Sequence, residues 1–131
     1  MENSNINIIE IDCYTDASYS KEKFVSVIAY KIHTNPINTI IFEGVKNTQA
    51  EINGIEFCIG YCEGNFPNVT IINIYTDCQG AFDIEFKFKS NKFVKINLIK
   101  VKGHQKMAHM NSNDLIFKSV DKMARKTLRK L

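Results

Sequence analysis

The sequence predicts an α/β layered domain with a mixed five-stranded sheet flanked by helices. Three observations predict it. Three β-type runs follow one another with short polar turns between them. The spacing of apolar residues then changes to a helical i, i+3, i+4 recurrence over 50–62. Two further β-type runs follow, and the C-terminal stretch from residue 114 is strongly amphipathic.

Residues 7–16 are rich in Ile and Tyr and read as the first strand, with Asp12, Tyr14 and Asp16 on one parity and Ile9, Ile11 and Cys13 on the other. A polar linker, residues 19–23, leads to a second run over 24–32. Asn35-Pro36 is a turn signal before a third run over 37–45. Short turns of this kind predict an antiparallel β1-β2-β3 meander. In the helix that follows, Thr48 and Glu51 have the spacing of a capping box. Gly64-Asn65-Phe66-Pro67 ends it. Residues 69–76 are almost continuously apolar, as a central strand buried on both faces requires. A short helix is expected from Gln79 to about Phe86, weakened by Gly80, and a fifth strand over 93–101. The last helix is expected over 114–131. Leu115, Ile116, Val120, Met123 and Leu128 should face the core, with Lys118, Lys122, Lys126, Arg129 and Lys130 mostly turned away.

With 131 residues, a single domain over 1–131 can bury a core without disulfide or metal staples. No apolar run approaches the ~20 residues of a membrane helix. The polar, acidic start, Met1-Glu2-Asn3-Ser4-Asn5, argues against a secretory signal, so a cytoplasmic location is expected. Cys13, Cys58, Cys62 and Cys78 lack zinc-type spacing and are read as reduced, small apolar residues. The formal charge of +3 hides an asymmetry. Residues 1–91 carry 6 Lys/Arg against 12 Asp/Glu, whereas residues 92–131 carry 11 against 2. A basic C-terminal third of this kind suits either a polyanion or a solvated helix face.

Four acids stand out by context. Asp16 lies in Tyr14-Thr15-Asp16-Ala17-Ser18 and Glu51 in Asn47-Thr48-Gln49-Ala50-Glu51. Asp77 lies in Ile74-Tyr75-Thr76-Asp77-Cys78-Gln79 and Asp121 in Val120-Asp121-Lys122-Met123-Ala124-Arg125. Two end β-type runs and two belong to helical patterns, so a layered fold can gather them at one sheet edge. Carboxylates gathered this way repel unless a hard divalent cation is present.

These contexts, in this order, resemble type 1 ribonuclease H over nearly the whole chain. Thr15-Asp16-Ala17-Ser18 matches its first-strand segment, Thr76-Asp77-Cys78-Gln79 its fourth-strand segment and Val101-Lys102-Gly103-His104 the segment after its fifth strand. Asn47 to Glu51 matches the start of its first helix, and Asp121-Lys122-Met123-Ala124-Arg125 its last. The resemblance implies the ribonuclease H-like fold. It also implies hydrolysis of the RNA strand of RNA/DNA hybrids with two Mg²⁺ ions (or Mn²⁺), leaving 5′-phosphate and 3′-hydroxyl ends. Asp16 would bridge both ions, Glu51 and Asp77 would complete one side, and Asp121 would help hold the other. His104 would assist proton transfer or product release. Asn47 and Gln79 would touch the hybrid's minor groove, where the 2′-OH tells RNA from DNA. A monomer without organic cofactor is expected.

Some features depart from that pattern. Only about 27 positions separate Asp77 from His104, too few for the extra helix and basic protrusion of many bacterial members. Lys87, Lys89 and Lys92 are either a small substitute or ordinary surface lysines. The stretch from His104 to Asp121 is long, which leaves Asp114 as an alternative fourth ligand; its other role is helix capping. Asp12 is either a supporting carboxylate or an edge residue, and His109 competes with His104. Two other functions remain open: a DNA-directed nuclease on the same fold (a resolvase or exonuclease), and a non-catalytic nucleic-acid-binding module.

Overall fold

The computed structural model describes residues 8–90, 94–101 and 110–131. Its elements in chain order are β1 (Glu10–Ser20), β2 (Val25–Ile32), β3 (Asn38–Glu43), α1 (Asn47–Asn65), β4 (Ile71–Thr76), α2 (Gln79–Asp83), β5 (Lys95–Lys100) and α3 (Ser112–Arg129), with a 3-10 turn at Glu85–Lys87. The five strands form one mixed sheet in the order β3-β2-β1-β4-β5. The meander pairs antiparallel, while β1, β4 and β5 run parallel.

Helices cover both faces. Ile11 and Cys13 of β1 join Ile72 and Ile74 of β4 against Ile55, Cys58, Ile59 and Cys62 of α1. Tyr14 of β1 and Ala29 of β2 meet Phe117, Val120 and Ala124 of α3 on the opposite face. The expected alternation along β1 therefore sorts side chains between two cores. All four cysteines are free and buried, and the Cys13 and Cys62 sulfurs lie 3.6 Å apart. Among the described residues, no helix is long and apolar enough to cross a membrane.

Four expectations need correction. First, Asp16 does not end its strand: β1 continues to Ser20, because Asp16 to Ser20 keep pairing with Ala29 to Val25. Second, Thr48 and Glu51 make no capping box. The helix begins at Asn47, its N-cap is Lys46 with no side-chain cap bond, and Glu51 is 3% exposed inside the first turns. Third, the helix after Asp77 stops at Asp83 and gives way to the 3-10 turn. Fourth, α3 buries Phe117, Val120 and Ala124, with Ile116 and Met123 at the margin, while Leu115 is 41% exposed. Leu115 stands two residues, about 200° of helix, from Phe117, so it falls on the face opposite the stripe of Phe117, Val120 and Ala124 that packs on Tyr14 and Ala29. The start of the expected first strand and Phe93 of the fifth lie outside the described residues.

Candidate metal centre

The backbone ladders open a gap beside Asp16. β1 pairs with β4 only from Glu10↔Ile71 to Tyr14↔Tyr75, whereas its ladder with β2 continues to Ser20↔Val25. Past Tyr14 β1 has no ladder with β4, which ends at Thr76. β1 connects onward to β2 on one side and β4 to β5 on the other. The gap is thus a topological switch point, the place where open α/β sheets bind ligands.

Helix α1 drops Glu51 into this gap. A Cβ at Gly54 would lie 2.8 Å from the Thr15 hydroxyl and 2.9 Å from Ile28 Cγ2, so only glycine allows the helix to come this close to β1 and β2. Glu51 sits one turn earlier on the same buried face. Carboxylate oxygens of Asp16, Glu51 and Asp77 consequently lie within 4.8 Å of one another. Asp16 and Glu51 are buried, and Asp77 is exposed at the rim.

The electrostatics are those of negative charges crowded out of water. Burial, then the carboxyl of Asp121 facing it, then Glu51 and Asp77 push the Asp16 carboxyl up to about 10. Glu51 is pushed up to about 8, by burial first and by Asp77 next, while the Ala17 amide and the Cys78 thiol pull the other way. Asp77 is raised by burial and Asp121, opposed by its own amide, Lys100 and Asp16. Glu51 Oε1 is buried without a hydrogen-bond partner among the described residues. An orphaned buried carboxylate oxygen costs free energy. A donor set of carboxylates alone suits a hard divalent cation, so the residues present fit one.

The two candidates on α3 separate. Asp121 faces Asp16, and its Oδ2 is 2.6 Å from the Arg125 guanidinium, an i, i+4 pair that holds the carboxylate in place. Ala124, fully buried, lets this turn of α3 approach the sheet. Asp114 is occupied elsewhere. It completes a capping box with Asn111: its amide donates to Asn111 Oδ1 at 2.8 Å, and its carboxylate accepts from the Asn111 amide at 3.0 Å.

Asn47 and Gln79 are the exposed first residues of α1 and α2. Gln79 is held at both ends, accepting from Lys100 Nζ at 2.7 Å and donating to Asp83 Oδ1 at 3.1 Å. Asp12 lies away from the cluster and, with Glu10, accepts from Asn73 Nδ2. Lys87 and Lys89 are exposed. His104, His109 and Lys92 lie outside the described residues. Sequence reasoning missed Gly54 and Lys100. A glycine inside a helical pattern was the available signal for the first; Lys100 looked like one more polar position of an alternating strand.

No protein-family model matches this chain. No curated protein matches it either.

Proposed function

We propose that this protein is a divalent-metal-dependent nuclease of the ribonuclease H type that hydrolyses the RNA strand of RNA/DNA hybrids. The observation that carries the reading is the orphaned Oε1 of Glu51 within a cluster of three carboxylates at the β1/β4 switch point. The order of the elements and the antiparallel β1-β2-β3 part of the sheet are also those the ribonuclease H-like fold requires.

In this reading Asp16, Glu51, Asp77 and Asp121 hold two Mg²⁺ or Mn²⁺ ions. When bound, the ions supply an activated water and stabilisation of the leaving oxygen. The chain supplies the rest. Burial keeps Asp16 and Glu51 out of bulk water, and α1 and α3 fix two carboxylates from opposite faces of the sheet. Asn47 and Gln79, at neighbouring helix starts, touch the minor groove and its 2′-OH groups. His104 moves a proton or speeds release of product. Water adds to phosphorus in line with the departing 3′-oxygen, leaving a 5′-phosphate and a 3′-hydroxyl.

The test is a cleavage assay on RNA/DNA hybrid, double-stranded RNA, double-stranded DNA and single strands, with and without Mg²⁺. The expected result is Mg²⁺-dependent cutting of the RNA in the hybrid alone. Cutting of DNA instead would assign a DNA-directed nuclease. Binding of nucleic acid without cutting of any substrate would overturn the catalytic reading.

A further inference from the structure

Besides four acids and the Arg125 paired with Asp121, the described part of the candidate centre has a lysine held beside it by the fold. Lys100 is the last residue of β5, in register with Thr76, the residue before Asp77. It is exposed, yet its side chain is not free. Nζ donates to Gln79 Oε1 at 2.7 Å and lies 5.7 Å from the centroid of the Phe82 ring. Gln79 is in turn fixed through Asp83. An exposed lysine held this way gives up rotamer freedom. No carboxylate is within ion-pair distance of it among the described residues, where the one ion pair is Arg125–Asp121. Its field reaches Asp77, which it draws down.

An ammonium carries three donors, and Gln79 takes one. The other two are left for a ligand with several acceptor oxygens and negative charge. A polyanion laid across clustered carboxylates is repelled unless cations stand where its charges fall, and this chain has too few residues after Asp77 for a basic protrusion.

We propose that Lys100, oriented by Gln79 and Phe82, binds a backbone phosphate of the nucleic acid that crosses the acidic cluster. This deepens the proposed function by naming a grip on its substrate, and it rests on that reading. Lys100 is a substrate-binding residue here, with Gln79 and Phe82 as its positioning residues.

The test compares wild type, Lys100→Met, Lys100→Arg and Lys95→Met, a control at the far end of β5. Binding of a fluorescent RNA/DNA hybrid is read by anisotropy in EDTA across salt concentrations, and KM and kcat are read in Mg²⁺. Methionine keeps the apolar stem over Phe82 and removes only the charge. Lys100→Met should lower the slope of log affinity against log salt by about 0.9, the value of one phosphate contact. Its deficit against wild type should therefore shrink about 3.5-fold from 50 to 200 mM salt at that slope. KM should rise with kcat nearly unchanged, Lys100→Arg should keep the wild-type slope, and Lys95→Met should match wild type. A wild-type slope in Lys100→Met overturns the inference and leaves the nuclease reading standing. Hybrid binding without cleavage overturns the nuclease reading, and the slope still decides the role of Lys100. A wild type that neither binds nor cleaves the hybrid overturns both.

Discussion

Gly54→Ala should damage the candidate metal centre from a position that carries no functional group. The added methyl would stand 2.8 Å from Thr15 Oγ1 and 2.9 Å from Ile28 Cγ2, inside the distance that real Cβ contacts reach. Thr15 and Ile28 are both fully buried, so neither side chain can swing aside into solvent. The helix must lift instead, and it takes Glu51 away from Asp16. Overpacking of this kind costs about 1–3 kcal/mol. Alanine in a helix interior returns about 1 kcal/mol relative to glycine. Gly60→Ala isolates the steric part, because a Cβ there meets nothing within 4 Å on the same helix. The propensity gain is common to both variants, so their difference is the overpacking alone, about 1–3 kcal/mol. For a domain of this size each kcal/mol moves Tm by about 3–5 °C. Thermal melts of the two variants should therefore separate by several degrees, with Gly60→Ala the higher. Calorimetric titration with Mn²⁺ should show weaker binding only in Gly54→Ala. Equal melting temperatures together with equal Mn²⁺ affinities would refute the view that Gly54 sets the depth of Glu51.

Two further outcomes follow from the charges. In the folded protein Asp16 is pushed up to about 10 and Glu51 to about 8, from ordinary values of 3.8 and 4.5. Raised carboxyls contribute stability that is complete below the ordinary values and is lost as pH rises through the folded ones. The metal-free protein should thus melt lower at about pH 9 than at about pH 6, and both Mg²⁺ and Asp16→Asn should flatten that dependence. A flat metal-free profile would contradict the electrostatic reading. Asp114→Asn should cost about 0.3–1 kcal/mol of stability through the start of α3 and leave cleavage intact. Asp121→Asn should spare stability and cut activity at least about tenfold. The reverse ranking in melts and cleavage rates would show that the two aspartates have been assigned the wrong way round.

The layered architecture was legible because period and turn chemistry are local. The runs at 24–32 and 37–45 and the apolar run at 69–76 each contain strands within a few residues of their expected bounds. What local patterns leave open is where pairing stops. Nothing in Ala17 to Ser20 marks that β1 keeps β2 as a partner after losing β4, because that depends on residues 25–29 and on the turn at Asp77. The Thr48/Glu51 spacing misled for a related reason. It satisfies the capping pattern wherever the helix starts, and the helix starts at Asn47. The choice between Asp114 and Asp121 depended on Asn111, since a cap is recognised only once the residue before the helix is known. Leu115 and Phe117 lie about 200° apart on the helix, so they cannot share a face, and the packing of Phe117 with Val120 and Ala124 against Tyr14 and Ala29 is what leaves Leu115 outside.

The unequal ladders of β1 also bear on how this sequence can change over time. The cleft beside Asp16 is framed by main-chain pairing on one side and its absence on the other. Main-chain pairing is indifferent to most side chains, so the frame survives extensive replacement along β2 and β4 provided their faces stay apolar. The positions with least steric freedom are Gly54, where a Cβ would stand 2.8 Å from Thr15 Oγ1, and the fully buried Ala124 of α3. A chain built this way can keep the shape of its cleft while most of the side chains around it change.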